Sequence, residues 1–436
     1  MVQTIRGTIL QTPASDLFEA LVDQVVTIDD GGTIVSIDDA NGPADVNLGD
    51  DVVLLPGLID THIHAPQWPQ LGTGLDMPLE RWLFDHTFPL ESRFANLEFA
   101  QSVWAHMVPS LLREGTTTAV YYSSIHEPAT VALAEACVRH GQRAFVGRVA
   151  MDHPDGTPEW YRDAGSHDSV SASERSIDAI RSLPGAEGLV APIVTPRFIP
   201  ACTDATLTGL AELAAATGTL IQTHCSESDW EHNHVLDRCG RTDTQALDAF
   251  GLIADHTVLA HATHLDDDDR SLLARTGAGV AHCPLSNSYF SNAVFSTRRA
   301  LDAGVRVGLG TDIAGGPDAS VLAQCQHAVT SSQMLQTGVD ATIVDERGVA
   351  GSRIDVIAAF HLATAGGAEL LGIDAGLLAP GRAFDAIAVD ISERSRVRRW
   401  DGDEWPRTFE KVVRGATAAE IRHTWVGGRR VEGSDA

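Results

Sequence analysis

The sequence predicts an α/β fold: a (β/α)8 TIM barrel flanked by a small β-sandwich domain formed by both chain ends. Three observations predict it. Eight short apolar or β-branched bursts alternate with amphipathic, Ala- and Leu-rich runs through the middle of the chain, which is the strand count of a closed barrel. Both ends instead carry short strand-like segments separated by turn residues. The chain has 436 residues, 44% of them hydrophobic, which supplies a large core and leaves chain over once a barrel of about 250 residues is built.

The N-terminal strand-like segments are 4–10, 23–28 and 33–37, and Asp29, Asp30, Gly31 and Gly32 form the turn between the last two. Near the C-terminus, 386–390 and 420–426 read as strands, and Gly427-Gly428 makes a tight turn into 429–431. This organisation assigns 1–55 and 373–436 to the β-sandwich and 56–372 to the barrel. The barrel bursts are 52–55 running into Asp60, then 116–122, 143–151, 188–195, 219–224, 257–261, 279–283 and 305–312. Helical runs between them include 129–140, 205–216 and 271–276. An open doubly wound sheet is the competing architecture, but no Gly-rich nucleotide turn accompanies it. The acidic run 266–269 follows the sixth burst and reads as a helix start, where carboxylates suit the positive end of the helix dipole.

Charge narrows the partners. Lys and Arg number 31 against 59 Asp and Glu, a formal net charge of −28. Such a surface repels phosphate backbones and anionic lipid headgroups, so neither nucleic acid nor membrane is expected as a partner. Lys411 is the one lysine of the chain. Cys137, Cys202, Cys225, Cys239, Cys283 and Cys325 form no C-x-x-C pair and are scattered through apolar segments, as expected of reduced thiols in the cytoplasm. Residues 1–10 lack the apolar stretch of a secretion signal, and no segment approaches the ~18 apolar residues of a membrane helix. A cytoplasmic protein is expected.

The sharpest chemical signal is Pro56-Gly-Leu-Ile-Asp-Thr-His62-Ile-His64. Side chains two apart on a strand share a face, so His62 and His64 can grip one ion, and neutral imidazole suits zinc or iron. Alone, such a pair is as readily a pair of core histidines. The context decides: the fifth burst ends in Gln222-Thr-His224-Cys-Ser-Glu227, the sixth in Leu259-Ala-His261 and the eighth in Gly308-Leu-Gly-Thr-Asp312. In a barrel the carboxyl ends of the strands form one face, where active sites lie, and buried His and Asp without a shared partner would each be costly. His62, His64, His224 and Asp312 are therefore the expected metal ligands. His232 and His234 repeat the spacing but fall in the helix or loop after the fifth burst, where residues two apart diverge; they read as surface residues. His264 receives no role, and His282 reads equally as a support to the site or as a satisfied structural histidine.

Many barrel hydrolases bridge two metals with a carboxylated lysine, and this barrel has no lysine, so one divalent ion is expected: Zn2+, with Fe2+ as the alternative. A bound divalent ion lowers the pKa of its water to roughly 7 and supplies hydroxide at neutral pH. Glu227, three residues past His224, is placed to shuttle protons, against the plain reading of a loop carboxylate. Asp312 would bind the ion and accept from the attacking hydroxide, and His261 would donate to the developing tetrahedral centre. These three are the expected catalytic residues.

At this point the strings PGLIDTHIHAPQ (56–67), LERWLFDHTFPLE (79–91), TPRF (195–198), HCSESDWE (224–231), AHCPLSN (281–287) and GLGTDIAGG (308–316) resemble the guanine deaminase family, a mononuclear-metal nucleobase deaminase branch of the amidohydrolase superfamily. The likeness spans roughly 50–370. The metal strings are shared across the superfamily; 65–67, 82–89 and 195–198 are the more specific part. The resemblance implies hydrolysis of the 2-amino group of guanine to give xanthine and ammonia, in purine catabolism, by a homodimer. It implies Gln67, Arg197 and Phe198 as the residues that bind substrate. Their chemistry fits a purine: Gln67 donates and accepts, Arg197 offers a donor fork to acceptors such as O6 and N7, and Phe198 a ring face or edge. Arg197 has a second reading, a barrel-rim ion pair, and Trp82 and Phe88 read either as pocket lining or as plain core. The rival on the same scaffold is a deaminase or hydrolase of another purine, pyrimidine or triazine. A non-catalytic relative is the rival of another class, and a scaffold free of catalysis can lose ligands, whereas this chain keeps all four and Glu227.

Overall fold

The structure, a computed structural model, describes residues 2–291 and 293–431; the end of the C-terminal segment assigned above, 432–436, lies outside the described residues. The barrel is present. Its strands, in chain order, are Leu58–His64, Thr116–Tyr122, Arg143–Gly147, Val190–Pro196, Leu220–Cys225, Val258–His261, Gly279–His282 and Arg306–Leu309. Each pairs in parallel with the next. The ring closes between the eighth and first strands. The Asp312 amide donates to the His62 carbonyl at 2.9 Å, the His64 amide to Ile313 at 2.9 Å, and Thr61 Oγ1 to the Leu309 carbonyl at 2.8 Å. The closing bonds thus run through the two segments that carry the proposed ligands.

The burst 52–55 is not part of the barrel. Val52–Pro56 is instead a strand of the sheet made from both chain ends, between Gln3–Ala14 and Ala386–Asp390. That sheet continues through Leu17–Ile28 and Ile34–Asp39 on one side, and Ile421–Val426 and Arg429–Arg430 on the other. Its alternation serves two cores. Val52 and Leu54 pack with Ile5, Val26 and Trp425, while Val53 and Leu55 join the core that runs into the barrel. Gly57 makes the crossing. A Cβ there would sit 2.3 Å from the Thr117 hydroxyl, so only glycine lets the chain pass from sheet to barrel at this spot.

The helices follow their local chemistry. Glu127–His140 ends on Gly141 in the left-handed region. The acidic run opens Asp267–Thr276, with Asp266 and Asp269 closing a reciprocal capping box. No helix among the described residues is long and apolar enough to cross a membrane.

Candidate active site and metal centre

All the site residues expected from the sequence gather at the carboxyl ends of the barrel strands, and all are buried. His62 and His64 leave the end of the first strand on one face, 5.0 Å apart by ring centroid. His62 Nε2 lies 3.0 Å from Asp312 Oδ1, and His64 Nε2 lies 3.6 Å from the same oxygen. His64 Nε2 also lies 2.9 Å from His224 Nε2. His62, His224, His261 and Asp312 present donor atoms that all fall within 4.8 Å of one another. His261 thus joins three of the four expected ligands in one group, and the fourth, His64, touches that group through His224 and Asp312.

The donor set fits a divalent cation. The Arg197 carbonyl can only accept, so the 2.6 Å contact fixes the proton of His224 on Nδ1 and turns the Nε2 lone pair inward. His261 Nδ1 meets Asn287 Oδ1 at 2.9 Å, which turns its Nε2 inward as well. Both ring nitrogens of His62 and His261 Nε2 are buried and make no hydrogen bond within the protein, although His62 Nε2 faces Asp312 Oδ1. Burial holds the His62, His64 and His224 rings well below the ordinary imidazole pKa, and lowers that of His261. Neutral imidazoles are what a metal requires. Burial also pushes the carboxyl of Asp312 up and, reinforced by the Asp312 charge, that of Glu227 well above the usual range. This pocket is short of positive charge, and a cation would supply it.

The backbone is forced at the same place. Ser226, His261, Ala262 and Asp312 have φ of 42°, 69°, 48° and 50°. Left-handed conformations of non-glycine residues cost on the order of 1–3 kcal/mol each and persist where the surroundings dictate them, most often at functional sites. Glu227 sits at the turn from the fifth strand to the helix Asp229–Cys239. Its amide donates to Glu231 Oε2 at 2.8 Å, and its Oε1 is 3.8 Å from His261 Nε2.

These groups open onto a narrow recess lined by His64, Gln67, Arg197, Phe198, Glu227 and Asp312 with apolar walls from Leu79, Trp82, Leu83 and Phe290. Apolar walls around a few convergent polar groups suit a flat heterocycle. Gly315 closes one side: a Cβ there would meet Asp312 Oδ2 at 2.7 Å.

Residues 53–431 match the amidohydrolase family. The chain is 38% identical to the probable guanine deaminase of Schizosaccharomyces pombe over 386 residues, 87% of this chain and 71% of that one. It is 33% identical to the guanine deaminase of Homo sapiens over 452 residues, 99% of this chain and 97% of that one. The chain belongs to the amidohydrolase family, in its guanine deaminase branch. Among solved structures, the guanine deaminase of C. acetobutylicum with bound guanine in its active site aligns with a TM-score of 0.89 and 25% identity, covering 99% of this amidohydrolase and 100% of that chain. The E. coli guanine deaminase aligns at 0.87 and 26%, covering 98% and 99%.

Other features of this amidohydrolase were not legible in the sequence. Glu91 lies under the pocket and takes both arms of Arg197, Nη1 to Oε2 at 2.6 Å and Nη2 to Oε1 at 3.1 Å. It closes the string 79–91, but nothing in its spacing singles it out. The two readings of Arg197 are thus not exclusive: it makes an ion pair and also lines the recess. Trp82 lines the recess, whereas Phe88 is core, under the Arg197 guanidinium at 4.9 Å. Tyr122, at the end of the second strand, packs its ring 4.7–4.8 Å from His62, His64 and His224. His232 and His234 are half-buried rather than on the surface, His232 against Asp243 at the start of the helix Asp243–Ala249 and His234 against Trp230. His264 stacks on His232 at 4.6 Å. His282 packs its ring 5.1 Å from Phe295, with both ring nitrogens buried and no hydrogen bond to another protein group.

Proposed function

We propose that this chain hydrolyses guanine to xanthine and ammonia, with the barrel, 56–372, as the catalytic unit flanked by 1–55 and 373–436. The observation that carries the reading is the single recess in which the His–Asp–Glu cluster meets Gln67, Arg197 and Phe198. The guanine deaminases among its relatives support it. His62, His64, His224 and Asp312 would hold one divalent ion, with zinc as the first choice and iron as the alternative. When bound, such an ion acidifies water and stabilises negative charge developing on the attacked carbon's substituents.

The chain's own groups do the rest. Glu227 takes one proton from water at its carboxylate and gives it to the ring nitrogen beside C2, then takes the second from the new C2 hydroxyl and gives it to the departing amino group. Its raised pKa suits a group that must both accept and donate near neutrality. Water adds to C2 and the C2–N bond breaks, so guanine and water leave as xanthine and ammonia. His261 steadies the tetrahedral centre, and Asp312 accepts from the nucleophile. Arg197 and Gln67 meet the O6 and N7 side of the purine, and Phe198 packs on its ring. A homodimer acting in the cytoplasm, in purine catabolism, completes the proposal.

The test is ammonia release from guanine beside a panel of cytosine, 8-oxoguanine and adenine analogues, with metal content measured on the same protein. Guanine turned over best, with about one ion per chain, is the expected result. Guanine turned over no better than the rest would move the substrate elsewhere on this scaffold.

A further inference from the structure

Glu91 is buried to 1% exposure and lies outside the metal cluster, yet four polar contacts converge on its carboxylate. Arg197 supplies two of them, Gln67 Nε2 donates to Oε1 at 2.9 Å, and the Tyr161 hydroxyl donates to Oε2 at 3.0 Å. The Gln67 carbonyl oxygen in turn accepts from the Ala314 amide at 3.0 Å. The two side chains proposed to read the purine edge are therefore held by one anion. Each keeps spare capacity for a ligand: the Arg197 guanidinium has five N–H groups and commits two to Glu91, and the Gln67 amide has a second N–H.

The charges also balance. Arg197 is the one cationic side chain lining the recess, and Glu91 neutralises it from beneath in a bidentate pair. The other carboxylates of the lining, Glu227 and Asp312, belong to the histidine cluster and make no hydrogen bond to Arg197. An Arg without a buried counter-ion would draw anionic ligands to this end of the recess; an Arg already paired offers hydrogen bonds without net charge.

We propose that Glu91 is a positioning and specificity-determining residue: it orients Arg197 and Gln67 and cancels the Arg197 charge, so that the pocket takes neutral purines and rejects anionic ones. The inference rests on the reading of this recess as a purine site. It extends that reading to the charge state of the ligand. Tyr161 and Gln67 act through Glu91 in the same way, as a frame that keeps the carboxylate in one orientation.

The test is Glu91→Gln in the metal-loaded full chain, with guanine kinetics and inhibition by urate, a purine that is a monoanion at neutral pH. Loss of the charge-assisted bonds should raise the guanine KM about tenfold or more with little change in kcat. Urate, free to pair with the released Arg197, should inhibit the variant about tenfold more tightly than the parent. Metal content should be unchanged. Guanine and urate weakening together, or urate inhibition unaltered, would overturn the proposal, because a merely structural role moves both ligands the same way. If Glu91→Gln does not fold, Glu91→Asp decides: it keeps the charge, so urate should stay a poor inhibitor even where the guanine KM rises, and a gain in urate affinity would refute the charge balance. The parent enzyme separates the two levels of inference. A parent that fails to use guanine removes the purine reading itself, whereas a parent that uses guanine with variants behaving alike removes only the role of Glu91.

Discussion

The chain contains the same three-residue pattern twice, and the two copies have opposite fates. His62-Ile-His64 ends a barrel strand, where a period of two points both rings at one spot. His232-Asn-His234 lies on the helix Asp229–Cys239, where residues two apart point about 200° away from each other. Burial holds the His62 and His64 rings neutral. His232 instead bonds Asp243 Oδ2 at 2.7 Å, which raises its pKa, while His234 turns toward Trp230. Spacing by itself selects neither chemistry; the period of the backbone beneath the pair does.

The comparison can be broken from its strong end. His62→Ala should abolish metal retention and lower turnover about a thousandfold or more, since an ion of this kind contributes several kcal/mol to the transition state. Chelation of the parent should do the same, and readdition of metal should restore it. Metal analysis beside ammonia release checks both, and a His62→Ala protein that keeps its ion would place the ligands elsewhere. Glu227→Gln separates proton transfer from metal binding. The ion and fold should persist while kcat falls about 10²–10⁴-fold, and near-normal turnover would remove Glu227 from the reaction.

Arg197→Ala should weaken guanine use mainly through kcat/KM, and it leaves Glu91 buried and unpaired, at a cost of about 3–5 kcal/mol in stability. Denaturant unfolding and steady-state kinetics read the two effects apart. An unchanged kcat/KM would refute the substrate role.

The helical pair gives the smallest effects. His232→Gln should leave metal and turnover intact and cost a few tenths to about 1 kcal/mol, the scale of a solvent-screened pair. Its sign with pH is fixed. The hydrogen bond that His232 donates to the Asp243 carboxylate raises the folded pKa above the ordinary 6.5, so the stabilisation is complete below that value and fades as pH rises through the folded pKa. The groups facing the ring are Asp243, Asp229, Asp269 and the stacked His264. The parent and the variant should therefore differ in acid-side stability and converge in alkali. A gap that widens with rising pH would reverse the assignment.

Much of the fold was legible because it rests on local periodicity. Seven of the eight barrel bursts coincide with barrel strands, and the terminal segments form the sheet expected of them. The ambiguity came at 52–55, counted with the barrel bursts and yet inside the 1–55 assigned to the terminal sheet, because an apolar burst reads the same whether it faces a barrel or a sheet. Gly57 and the Thr117 hydroxyl that excludes a Cβ are far apart in sequence, so the break between sheet and barrel is a tertiary fact. The helical histidines were misplaced for a similar reason, since Asp243 comes from a neighbouring helix.

The sequence by itself determined that His62, His64, His224, His261, Glu227 and Asp312 stand at strand ends, because a strand end and its side-chain period are local properties. It also determined that no lysine is available in the barrel to bridge two ions. Only the tertiary structure decided that His261 groups with His62, His224 and Asp312, with His64 beside them. It alone decided that Arg197 and Gln67 share the carboxylate of Glu91, separated from Arg197 by 106 positions. The reason is physical. Periodicity fixes where a side chain leaves its element, but a hydrogen bond or a charge balance depends on which distant element the closed barrel brings against it.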